Sequence, residues 1–148
     1  MEDTPSLAEA ILEQIADAVI FADATGTIRR WNRAAAALFG YSAAEALGQN
    51  LDLIIPERLR AAHWDGWRRV IETGQSRYRH GDLLSVPAIR KDGQRISVEF
   101  TIVPLKDETG RMIGMAALIR DVTKRFEEMK ALRRQLAAAG PVGRATGK

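Results

Sequence analysis

The sequence predicts a single α+β domain in which hairpin-paired strands alternate with short helices, flanked by one helix at each end. Three observations support this. Glycine-containing turns (Ala24-Thr25-Gly26, Lys91-Asp92-Gly93 and Glu108-Thr109-Gly110) separate β-rich runs. Capping residues and glycine stops bracket the helical stretches between them. The apolar period then lengthens from two to between three and four after Asp121. At 148 residues, with 46% hydrophobic and 28% charged residues, the chain has the profile of one globular core rather than a disordered polymer.

Ser6 and Glu9 form an S-x-x-E pair ahead of Leu7, Ile11, Leu12 and Ile15, which predicts an N-terminal helix within residues 1–17. Ala18–Asp23 and Thr27–Asn32 read as a hairpin. Asn32 can cap an alanine-rich helix, Arg33–Phe39, that stops at Gly40. Ser42 and Glu45 repeat the capping pair for a one-turn helix closed by Gly48. Pro56 suits a first helical position, and that helix should run to Thr73 with Gly74 as its stop. Leu59, His63, Trp67 and Val70/Ile71 recur along it at helical spacing, so His63 lies on the apolar stripe.

Three strands should follow, near Leu83–Arg90, Gln94–Leu105 and Arg111–Asp121. Ile96, Val98, Phe100 and Ile102 alternate cleanly and should face the core. From Val122 a helix carries Phe126, Met129, Leu132 and Leu136 on one stripe. It is expected to end at Gly140-Pro141 and leave 141–148 as a disordered tail.

Composition narrows the chemistry. With no cysteine, disulfides, thiolate-bound metals, iron–sulfur clusters, cysteinyl nucleophiles and flavin–cysteinyl photochemistry are excluded. His63 and His80 are the only imidazoles. The net charge of +3 is unevenly spread. Seven of the 22 basic and three of the 19 acidic residues lie from Asp121 onward, giving that segment +4 and the rest −1. The charge balance of the body therefore gives no support to a nucleic-acid-binding surface there. No apolar run approaches the ~20 residues of a membrane span, and the acidic start MEDTPSLAE is unlike a signal peptide, so the cytoplasm is the expected compartment.

Three stretches resemble the PAS domain: IADAVIFADATGTIRRWNRAAAALFGYSAAEALGQN, IRKDGQRISVEFTIVPL and GMAALIRDVTKR. Asp121-Val122-Thr123 looks like the D-[IV]-T signature joining a PAS core to its signalling helix. The resemblance spans roughly Ser6 to Leu136. It implies a PAS domain at 18–121, with a five-stranded antiparallel sheet, helices on one face and a ligand cavity, followed by a signalling helix at 122–140.

LDLIIPERLRAAHWDGW is similar to the haem-binding PAS sensors, the FixL-type oxygen-sensor kinases and the direct oxygen sensor phosphodiesterases. In those families a proline-led helix carries the histidine that binds haem iron, and Pro56 and His63 stand at that spacing. On pattern alone, a lone histidine on an apolar face is most often a packed core residue. The resemblance instead implies a b-type haem (iron protoporphyrin IX) with His63 as its iron ligand. Trp67 would pack on the imidazole, Arg69, Arg77 or Arg79 would meet the propionates, and Phe100 and Ile102 would form the apolar distal wall.

Leu84 stands where these sensors place an oxygen-binding arginine, and Asp82 where the phosphodiesterase has a methionine ligand. A haem here should discriminate weakly for oxygen, or take a donor from Arg79 or His80. Met115, with Met112, is a candidate sixth ligand or simply packing.

The function implied is a non-enzymatic sensory module for a diatomic gas (O2, CO or NO) or redox state, expected as a homodimer that signals to a separate regulatory protein. The alternative is a haem-free interaction or dimerisation module, or a binder of another small ligand.

Overall fold

In the computed structural model, residues 4, 6–78 and 81–146 are described, with side chains to residue 139. The element order is α1 (Leu7–Gln14), β1 (Ala18–Asp23), β2 (Ile28–Trp31), α2 (Arg33–Phe39), α3 (Ala43–Ala46), a 3-10 turn (Leu51–Ile54) and a second (Glu57–Leu59). Then come α4 (Arg60–Thr73), β3 (Leu84–Ile89), β4 (Arg95–Lys106), β5 (Met112–Asp121) and α5 (Thr123–Thr146). All four strand pairings are antiparallel, and the order is β2-β1-β5-β4-β3. The first and last strands of the chain are thus neighbours at the centre of the sheet.

Local chemistry explains the helix boundaries. Ser6 Oγ accepts from Glu9 N–H, and Ser42 and Glu45 complete a reciprocal capping box around α3. Asn32 is buried at 5% exposure and fully used. Its Oδ1 accepts from Ala35 N–H, capping α2, and from Val19 N–H, while Nδ2 donates to Leu12 and Asp17 carbonyls. One side chain therefore ties α1, β1 and α2 together. Pro56 differs from the expectation. It precedes a 3-10 turn, and α4 begins at Arg60, because the tight Glu57–Leu59 turn satisfies the backbone first.

The core forms where the helices lean on the sheet. Ile20, Ile28, Trp31, Phe39, Trp67 and Val98 belong to one buried cluster. Close backbone approach fixes the centre of the sheet. A Cβ on Gly114 of β5 would lie 2.1 Å from Ala22 O of β1, so only glycine fits there.

At the C-terminus, α5 runs to Thr146 instead of stopping at Gly140-Pro141. A proline removes one backbone donor, but the helix-favouring run Ala137–Ala139 leads straight into it and the helix continues. The expected tail at 141–148 is therefore helical as far as 146, and residues 147–148 lie outside the described residues. No described helix is long and apolar enough to cross a membrane.

Candidate functional site

Between α4 and the sheet lies a cavity of about 650 Å³, inside the ~300–1,000 Å³ range of small-molecule sites. His63, Trp67 and Arg69 reach it from α4, Leu84 from β3, Phe100 and Ile102 from β4, and Met115 from β5. The structure thus brings these seven sequence-derived candidates onto one cavity. Arg77 lines it as well. Met112 is buried but not on its wall, Asp82 is exposed and not on its wall, and Arg79 and His80 lie outside the described residues.

The cavity has two unlike walls. Every side chain that β3, β4 and β5 contribute is apolar, and Leu84 pairs directly with Phe100 across the β3–β4 ladder. The polar side chains Asp65, Arg69, Gln75, Ser76 and Arg77 come from α4 and the segment after it. Arg77 lies 5.1 Å over the Tyr78 ring and donates to its hydroxyl at 3.0 Å.

His63 sits among indoles. Trp64 meets its ring edge-on at a centroid separation of 4.5 Å, and Trp67 lies tilted at 5.9 Å. The His63 Nδ1 atom is buried with no hydrogen-bond partner. Burial pushes the imidazole pKa down, against an opposing pull from the Asp52 carboxylate, so the ring is held neutral and keeps a lone pair. Among the described residues no three of His, Cys, Asp and Glu converge, so a bare ion has no cage. A metal carried in its own macrocycle needs only an axial ligand from the protein. A neutral imidazole lining a cavity with an apolar sheet wall fits that requirement.

The indoles hold α4 in place. Trp67 Nε1 donates to Ala24 O at 3.0 Å, and Trp64 Nε1 donates to Asp52 Oδ1 at 2.7 Å. The Trp64 ring covers Gly26, where a Cβ would come within 2.3 Å of Cη2. Trp64 thus packs on His63 and on the β1–β2 turn. Its partner Asp52 lies in the 3-10 turn Leu51–Ile54, whose sequence signal was Asn50, a cap accepting from Asp52 N–H at 2.7 Å.

Comparison with known proteins places this geometry in a family. The family model described as PAS fold matches residues 12–127. An uncharacterized protein of Azorhizobium caulinodans is 32% identical over 126 residues, 84% of this chain and 17% of that protein. The oxygen sensor protein DosP of Escherichia coli is 29% identical over 133 residues, 90% and 16% of the two chains. The sensor protein FixL of Bradyrhizobium diazoefficiens is 31% identical over 115 residues, 78% and 22%. The chain therefore spans about a fifth or less of the length of these relatives. Among solved structures, the PAS domain of a Colwellia psychrerythraea protein superimposes with a TM-score of 0.67 at 24% identity, covering 78% of this chain and 93% of that one. An RNA-binding light-oxygen-voltage receptor gives a TM-score of 0.68 at 25% identity, covering 97% and 42%. With its sheet order, its cavity under α4 and a family match over most of its length, this chain belongs to the PAS family.

Proposed function

We propose that the chain is a sensory PAS module that holds b-type haem through His63 and responds to a diatomic gas or to redox state. One observation carries the reading. His63 lines a cavity of about 650 Å³ whose sheet side is wholly apolar, and burial holds its imidazole neutral. The similarity to an oxygen sensor protein and to a sensor protein over most of this chain supports it.

In this reading His63 would hold the haem iron, with Trp67 bracing its ring. Arg69 and Arg77 stand at the polar side of the cavity, where guanidinium groups suit propionate carboxylates. Leu84, Phe100 and Ile102 exclude water from the opposite side, and Met115 supplies a polarizable thioether from the central strand. When bound, haem supplies an iron coordination position for a small gas.

The wall is continuous with the output. β5 leads into Asp121-Val122-Thr123, where Thr123 Oγ1 accepts from Ser97 N–H at 2.9 Å and Val122 N–H donates to Ser97 O at 2.8 Å. A displacement of β4 and β5 is thereby delivered to the start of α5. The module itself carries no catalytic step and acts through a homodimer or a separate signalling protein.

The test is to express the chain with haem precursor and record absorption spectra oxidised, reduced and with carbon monoxide. A stoichiometric Soret band that is lost in His63→Ala supports the reading. A colourless chain that refuses added haemin ends it and favours a haem-free interaction module. That second reading draws on the exposed apolar stripe Phe126, Met129, Leu132 and Leu136 of α5.

A further inference from the structure

The face of the sheet turned away from the cavity carries charge at the end where the chain enters and leaves it. Val98 and Ile119 line the cavity, so Glu99 and Arg120, next to them in β4 and β5, point the other way. These two stand opposite each other in the β4–β5 ladder. On one side of them, Arg120 Nη2 donates to Asp17 Oδ2 at 3.0 Å, just before β1. On the other, Arg125 Nη2 in the first turn of α5 lies 3.5 Å from Glu99 Oε2. The order is therefore acid, base, acid, base, running from the entry to β1 across β5 and β4 to α5. The Arg120 pKa is pushed up, first by its bond to Asp17 and further by the Glu99 charge.

We propose that this row is an electrostatic latch that holds α5 in its direction against β4, with Glu99 as the carboxylate its two bases share. The inference rests on the reading of α5 as the output and not on what fills the cavity. The hydrogen bonds at Ser97 fix only a pivot. Val122 N–H donates to Ser97 O, and Ser97 N–H donates to Thr123 Oγ1. Beyond that pivot, Arg125 makes the ion pair that ties α5 to the sheet. The Glu99 side chain is 20% exposed and that of Arg125 is 64% exposed, so the carboxylate is fixed and the guanidinium is the part that can leave. Exposed pairs hold weakly, which suits a latch that a small displacement or a competing charge must open. A slip of β5 past β4 draws Arg120 away from Glu99 and leaves that carboxylate to Arg125 alone. Strand alignment thereby sets how tightly α5 is held.

The chain has no cysteine, so spin labels attach only where a cysteine is introduced. Gln94→Cys and Gln135→Cys, both at exposed positions outside the row, report the distance from the sheet to α5. The full, haem-free chain is measured by double electron–electron resonance, diluted with unlabelled chain to remove distances between copies. One dominant distance is expected at low salt. Glu99→Gln and Arg125→Gln should each put about threefold more of the population outside it, and their combination no more than either alone. In ~1 M salt, which screens charges beyond ~3 Å, the labelled parent should broaden in the same way and Glu99→Gln should not respond. Glu127→Gln, at an exposed acid of α5 outside the row, should leave the distribution unchanged. Unchanged distributions in both single variants, additive effects in the double, a parent indifferent to salt, or an equal shift in Glu127→Gln overturns the latch. Any of these leaves the haem reading standing, and a chain that takes up no haem leaves the latch standing.

Discussion

At the scale of single residues, His63 shows how a packed position becomes a chemical one. It lies on the apolar stripe of α4 as its spacing predicted, but helical spacing does not say whether a buried nitrogen finds a partner. Without one, protonation would leave a charge in an apolar site. Its pKa in the folded chain is therefore below the ordinary value near 6.5. Between those two values the unfolded chain binds more protons than the folded one, so stability rises with pH across that window. The haem-free chain should lose stability as pH falls through about 6.5, and His63→Leu should lose less over the same range. Urea denaturation midpoints of the two proteins across that range measure it, and parallel curves would count against a buried neutral imidazole. Asn32 makes the opposite point. Its role as the α2 cap could be read from sequence, whereas its bonds to Leu12, Asp17 and Val19 could not, since they depend on how α1 and β1 fold back around it.

At the scale of elements, two indoles bolt α4 to the β1–β2 turn. Gly26 combines φ +85° with a Trp64 ring where its Cβ would stand, so two separate costs meet at one residue. Gly26→Ala should destabilise the chain by about 2–4 kcal/mol. In a Trp64→Ala background the same change should cost only about 1 kcal/mol, the price of the backbone conformation. A double-mutant cycle by chemical denaturation reads the difference, and strict additivity would mean that the ring does not press on the turn. The turn glycine was plain in the sequence, but the ring over it was not, because Trp64 and Gly26 meet only once α4 docks. Capping boxes, hairpin turns and the β4 alternation were legible for the contrary reason that each is decided within a few residues. The strand order and the 3-10 turn carrying Asp52 depend on contacts across the fold and were not.

At the scale of the whole molecule, both flanking helices carry exposed apolar side chains. Leu7 and Ile11 stand out from α1, and Phe126, Met129, Leu132 and Leu136 from α5. No residue of α1 is fully buried, and Leu7 and Ile11 are left exposed by its contact with the rest of this chain. We expect the full chain to be a dimer by size-exclusion chromatography with light scattering, and a chain stopped at Asp121 to shift towards monomer. Equal masses per particle would show that α5 does not contribute. The basic segment expected from the charge distribution coincides with α5, so a surface that pairs through its apolar stripe would present its positive charge along the outside.

The central pairing of β1 with β5 has a mechanical consequence. Ala18 lies opposite Ile119, and the Asp17 carboxylate meets Arg120 at 3.0 Å, so the chain enters and leaves the sheet at one place. The flanking helices are therefore two arms on a common pivot. A slip of one central strand past the other, too small to disturb the core, would register as a change in the angle between those arms. The sheet then works as a lever whose short side is the cavity wall.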